Sequence, residues 1–177
     1  MKFLRREAQN GNVSDIGFLM PCHNTPFYSH IHTSVYMWFL TCDPPLKKSE
    51  LESHYWEAQD FETDPIMFLN KNMFEKPPPS ELEKLAMVRD PYSNVLHYPV
   101  ITPFDTPPHT SVNGSFKYWP SHVVMFGAME ARISGYLIKR DYKKCASFFN
   151  TIWDSDQRIK GDVVVYFFEL FFSPLFT

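Results

Sequence analysis

The stretch FLMPCHNTPFYSHIH, residues 18–32, gathers one cysteine and three histidines, Cys22, His23, His30 and His32, behind a short apolar run. Side chains of these types support several chemistries. Structural zinc wants four ligands in tetrahedral reach. Cys22, His30 and His32 could supply three, with His54 or Asp43 as a fourth. No Cys-x-x-Cys pair is present, however, and His30 and His32 would point to opposite sides of an extended segment. A nucleophilic cysteine needs a histidine beside its thiol. Cys22 and His23 are chain neighbours and would diverge on extended backbone, and the surrounding residues match no nucleophile motif. A loop without chemistry asks for less. Pro21 and Pro26 would pin it, Asn24 and Thr25 would bond its backbone, and the histidines would satisfy buried carbonyls. Physical chemistry alone favours that last reading.

Few other residues compete. Glu57, Asp60, Glu62 and Asp64 could include an acid/base pair, but a solvated helix face is the commoner use of such a cluster, and no pair stands out. There is no GxGxxG, P-loop, HExxH or GxSxG motif. The sequence calls for no cofactor and no metal. With 17 Lys and Arg against 20 Asp and Glu, the net charge of −3 offers no positive field for nucleic acid. The basic run KRDYKK, residues 139–144, reads as the solvated end of a helix. Three cysteines do not make a disulfide scaffold. Free buried thiols are the expected arrangement. If one bridge forms in an oxidising lumen, Cys22 and Cys42 are its natural pair, since both follow strand-like runs.

The elements that would hold this loop read as an α/β domain. Its 177 residues suffice for one ordinary core. Residues 1–14 read as a polar lead-in with no apolar leader segment, and no run reaches the length of a membrane span. The apolar run 15–20 predicts a strand buried on both faces, so that Pro21 to His32 lies outside its carboxyl end, where ligands of open α/β sheets bind. Residues 35–42 predict a second strand. Ser49 and Glu52 have capping-box spacing for a helix carrying Leu51, Tyr55, Ala58 and Phe61. Asp64-Pro65 opens a short helix with Ile66, Leu69 and Met73 inward. KPPPS at 76–80 is a rigid spacer before a helix from Ser80 to about Val88, and 90–115 reads as a surface excursion. Strand 121–126, a helix with Met129, Ile133, Tyr136 and Leu137 inward, and strand 142–150 predict a βαβ unit, followed by strand 162–168. The expected architecture is a small mixed or mostly parallel sheet flanked by helices over residues 15–167. An insertion spans about 76–118, and an apolar tail occupies 168–177.

Several segments resemble a known family. FLMPCHNTPFYSHIH with WFLTCDPP soon after, HYWEAQDFETDPIMFL, WPSHVVMFGAME and ASFFNTIWDSDQRIKGDVVVY are similar, in order, to the C-terminal lumenal region of the GPI mannosyltransferase 3 family. These are polytopic endoplasmic-reticulum enzymes that use dolichyl-phosphate mannose. The resemblance implies a detached lumenal portion of an enzyme that adds the third, α1,2-linked mannose to the glycosylphosphatidylinositol (GPI) precursor. Its partners would be that glycolipid acceptor, dolichyl-phosphate mannose and the endoplasmic-reticulum membrane. It also implies that His23, Asn24, Tyr28, His30 and His32 are substrate-binding candidates, with no catalytic residue in the chain. The family's spans and its acidic lumenal loop have no counterpart here, and the end FFELFFSPLFT departs from its pattern. A non-catalytic lumenal interaction module and a soluble metal-binding α/β protein remain the alternatives.

Overall fold

The computed structural model describes residues 1–26, 28–33, 35–41, 44–45, 47, 54, 56–75, 88–89, 96–97 and 117–169. The order of elements is α1 (Lys2–Gln9), β1 (Asp15–Pro21), α2 (Tyr28–Ile31), β2 (Tyr36–Leu40), α3 (Glu57–Thr63), α4 (Pro65–Asn72), β3 (Met73–Phe74), β4 (Val88–Arg89), β5 (Leu96–His97), β6 (Lys117–Tyr118), β7 (His122–Phe126), α5 (Gly127–Ile138), β8 (Tyr142–Thr151) and β9 (Gly161–Phe168). Five strands form one mixed sheet in the order β2-β1-β7-β9-β8. β1 runs parallel to β2 and to β7, while β9 is antiparallel to both β7 and β8. No helix among the described residues is long and apolar enough to cross a membrane.

The apolar runs that predicted buried strands do cover both faces of this sheet. Ile16, Phe18 and Met20 of β1, with Val124, Phe126 and Val165, pack against Leu4 and Ala8 of α1 and Ile31 of α2. Leu19, Val123, Met125, Val164 and Tyr166 face the other way, onto Phe61, Phe68, Leu69, Met129, Ile133 and Leu137 of α3, α4 and α5. The result is helix, sheet and helix in three layers. Burying both faces of β1 excludes water from its ladder, and each fully buried side chain contributes about 1.5–3 kcal/mol.

Three features differ from the sequence reading, each for a local reason. The lead-in contains a helix, because Leu4 and Ala8, one turn apart, are buried on the sheet at 2% and 8% exposure. It ends in a left-handed residue, Gly11 (φ 77°), with Gly11 N donating to Ala8 O and Asn12 N to Glu7 O, a Schellman closure. α4 begins as expected, with Asp64 Oδ1 accepting from Met67 N at 3.0 Å and Pro65 in the first turn. Of the residues expected inward, Leu69 and Met73 are buried and Ile66 packs partly buried against the same core, but Pro65, Phe68 and Asn72 are buried too, with Phe68 edge-on to Phe61 at 5.5 Å. The unit β7–α5–β8 has parallel strands, as a βαβ unit should, but they are not neighbours. β9 returns antiparallel and fills the gap between them.

α3 starts at Glu57; the capping pair Ser49 and Glu52 lies outside the described residues. So do the spacer at 76–80, the helix expected after Ser80 apart from Val88, and the tail beyond Glu169. Within 90–115 only Leu96 and His97 are described, paired antiparallel with Arg89 and Val88 in a separate ladder.

Candidate functional site

β1 leads to its neighbour β2 on one side while the parallel β7, on its other side, leads away toward β8, so the connections diverge at the carboxyl ends of β1 and β7. That topology makes a crevice at the strand ends. The loop Pro21–Thr33 stands there. Its first turn closes with Asn24 N donating to Pro21 O at 3.1 Å. Its second half is one helical turn, α2, anchored by Ile31, which is fully buried between α1 and the sheet. His32 follows in the left-handed region at φ 52°, and Thr33 Oγ1 donates back to Ile31 O at 3.1 Å. The segment is therefore coiled rather than extended.

His23, His30 and His32 are all exposed, and Asn24 is half-buried. Ser29 Oγ and His30 Nδ1 lie 3.3 Å apart. Tyr28 opens α2, and its side chain lies outside the described residues. The histidines lie at the surface rather than in the buried setting expected of residues that satisfy buried carbonyls. Asn24 and Thr25 also depart from that expectation. Asn24 Oδ1 and Thr25 Oγ1 are both shut off from solvent with no hydrogen-bond partner. An orphaned buried polar atom costs about 1–3 kcal/mol, so two in adjacent residues mark an arrangement that packing alone does not favour.

Cys22 is disulfide-bonded, which corrects the expectation of free thiols. An oxidised sulfur is neither a thiolate ligand nor a nucleophile, so both the zinc and the nucleophile readings lose their central residue. Cys145 is free, and Cys42, the partner named for Cys22 from the sequence, lies outside the described residues. The pairing of Pro21 with Leu40 brings the two strand ends side by side. Cys145 has its sulfur turned toward Val165 O at 3.4 Å, and burial of the thiol pushes its pKa up to about 11. Among the described residues no three His, Cys, Asp or Glu side chains gather into a metal site.

Beside the loop, at the end of β2, sits a charge pair that sequence reasoning missed. Glu57 is completely buried, whereas the cluster WEAQDFETDP read as a solvated face. Its Oε1 accepts from Lys117 Nζ at 2.5 Å, and its Oε2 accepts from Thr41 N at 2.6 Å and Thr41 Oγ1 at 2.9 Å. Lys117 is 3% exposed and lies 5.8 Å from the centre of the Trp38 ring. Desolvation lowers its pKa, and the charge and hydrogen bond of Glu57 oppose that shift. A buried carboxylate that accepts from three donors within the fold is placed to order structure, with Lys117 and Thr41 held against it. The signal was present in the spacing, since Glu57 stands four residues before the buried Phe61 and so shares its helix face.

At the opposite end of β1, where β1 and β7 begin, Asp15, Ser121 and His122 lie close together. Ser121 N and Ser14 Oγ each donate to Asp15 Oδ1 at 2.7 Å, Ser121 Oγ donates to Asp15 O at 2.7 Å, and His122 Nδ1 is 3.1 Å from Ser121 Oγ. The residue types suggest a hydrolytic triad, but the order of bonds does not. The serine spends its proton on a backbone carbonyl, and Ser121 and His122 are 1% and 2% exposed. This network ties the start of β1 to the start of β7.

Relatives give the fold and loop a context. The chain is 31% identical to GPI mannosyltransferase 3 of Yarrowia lipolytica over 94% of its own length and 27% of the relative's. It is 32% identical to GPI mannosyltransferase 3 of Aspergillus fumigatus over 85% of the chain and 18% of that protein. Mannosyltransferase APTG1 of Arabidopsis thaliana is 29% identical over 94% of the chain and 22% of that protein. No family model matches the chain, and no solved structure does. The relatives are, by name, sugar-transferring enzymes acting with mannose. Over most of its length the chain is similar to part of proteins named GPI mannosyltransferase 3, and it spans 18% to 27% of the length of these three relatives.

Proposed function

We propose that this chain is a lumenal, C-terminal part of an endoplasmic-reticulum mannosyltransferase that adds the third, α1,2-linked mannose to the GPI-anchor precursor. Its task there is to shape and contact the glycolipid acceptor. The observation that carries this reading is the loop Pro21–Thr33 at the carboxyl end of β1. It offers exposed His23, His30 and His32, ring nitrogens that can donate or accept, on a loop held by the strand end. Hydroxyl-rich ligands are held by such mixtures of donors and acceptors. Dolichyl-phosphate mannose and the transfer chemistry belong to other parts of the full-length enzyme. The described carboxylates nearest the sheet core, Asp15 and Glu57, are already engaged by donors of the fold itself. The isolated chain then transfers no mannose from dolichyl-phosphate mannose to a dimannosyl GPI acceptor.

The test is made in the full-length enzyme. His23→Ala and His30→Ala each weaken acceptor use by roughly 2- to 13-fold, the span that corresponds to one lost hydrogen bond, while donor use is unchanged. Normal acceptor kinetics with both histidines replaced refutes the reading. It would leave the second one, a non-catalytic interaction module. That alternative draws on the β8–β9 hairpin, where Phe149 and Trp153 are 70% and 90% exposed.

A further inference from the structure

We infer that Asn12 is an N-glycosylation site. It rests on the reading that this region faces an oxidising secretory lumen, and it goes beyond that reading by assigning a covalent modification. Asn12-Val13-Ser14 has the acceptor spacing: an asparagine, a residue other than proline, and a hydroxyl two positions on. The fold puts this tripeptide in the turn between α1 and β1. Gly11, next to it, is exposed, with open space where a side chain would project. Asn12 itself is half-buried, and its amide nitrogen donates one hydrogen to Glu7 Oε2 at 2.8 Å. A side-chain amide has two hydrogens. A glycan replaces one, so the bond to Glu7 can persist in the modified protein. The disulfide at Cys22 is the second observation, because such bonds persist in the compartments where this modification is made.

The reaction balances with a polyprenyl-pyrophosphate-linked oligosaccharide as co-reactant. The Asn12 amide nitrogen forms a bond to the anomeric carbon, the carbon–oxygen bond to pyrophosphate breaks, the amide gives up one proton, and polyprenyl pyrophosphate departs. Asn12 precedes β1 and the candidate loop follows it, so the length of β1, about 20 Å, separates the two. A glycan at Asn12 therefore leaves the loop uncovered and marks the amino edge of the sheet as the one turned to water.

The experiment expresses the chain within its full-length protein, and in parallel behind a cleavable secretory leader, in cells that glycosylate. Asn113-Gly114-Ser115 is a further acceptor tripeptide, outside the described residues, and serves as the comparator. Peptide-N-glycosidase treatment is expected to convert Asn12 to aspartate in the mass spectrum of the wild-type chain. Asn12→Gln and Ser14→Ala are each expected to remove one glycan, whereas Ser14→Thr keeps it. Asn12 unmodified while Asn113 is modified overturns the assignment and leaves the lumenal reading intact. Neither site modified with Cys22 still bridged also overturns the assignment alone. Neither modified with Cys22 a free thiol overturns the lumenal reading as well.

Discussion

Burial holds the imidazole of His122 at a pKa of about 4, against 6.5 for a free histidine, despite the opposing pull of Asp15 and Glu7. The unfolded chain thus takes up a proton near neutrality that the folded chain refuses until the solution is far more acidic. Stability is complete above the unfolded value and drains as pH falls from about 6.5 to about 4, by roughly 3 kcal/mol in all. Urea unfolding at about pH 7 and about pH 4.5 should show that loss, and His122→Gln should flatten it. A second residue-scale prediction concerns Gly17. A methyl group there would meet the Trp38 ring at 2.3 Å and Pro120 at 2.8 Å. Gly17→Ala should cost about 1–3 kcal/mol in denaturant unfolding, and pairing it with Trp38→Phe should recover part of the loss. Neither residue announced its role in the sequence. Gly17 sits in an apolar run like any strand glycine, and what it accommodates arrives from another strand. Asn24 was legible as a polar loop residue; that its oxygen goes without a partner could be seen only in three dimensions.

Among the elements, the start of α3 is fastened to two others through one carboxylate. Glu57 joins Lys117 on β6 to Thr41 just beyond β2. Breaking one side of a buried pair strands the other charge, so Glu57→Gln should destabilise by about 3–5 kcal/mol in chemical denaturation. The double variant Glu57→Gln/Lys117→Met should recover most of it, because no uncompensated charge is left and the Gln oxygen can still accept from Thr41 N. A double variant as unstable as the single one would mean that the pair is not what orders this corner. The strands were the most readable elements, because an apolar run buried on both faces looks the same wherever it sits in a sheet. Their neighbours were not readable. Nothing within DVVVYFF specifies that β9 lies between β7 and β8, since that choice is made by the turn at 152–160 and by α5. α1 was read as polar because only two of its residues, Leu4 and Ala8, are buried.

At the scale of the whole molecule, β3 and β6 lie side by side, with Met73 opposite Lys117, so the long stretch between them begins and ends at one place. Replacing residues 76–115 by a short glycine-serine linker should leave the stability of the five-stranded sheet within about 2 kcal/mol, because loop-closure entropy changes only slowly with length. Circular dichroism and urea unfolding of the deletion variant would check this; loss of the fold would show that the stretch is part of the core. The order of segments along the chain was legible from their resemblance to a family, whereas the two parallel neighbours of β1 were not. Those neighbours set a timetable. β2 emerges soon after β1 during synthesis, but Ser121, which binds the start of β1, lies 106 residues after Asp15. At a synthesis rate of about 5–20 residues per second, one edge of this apolar strand waits roughly 5–20 s for its partner. For that interval the nascent chain holds a largely apolar strand with one edge unpaired, and a chaperone has its widest access to it then.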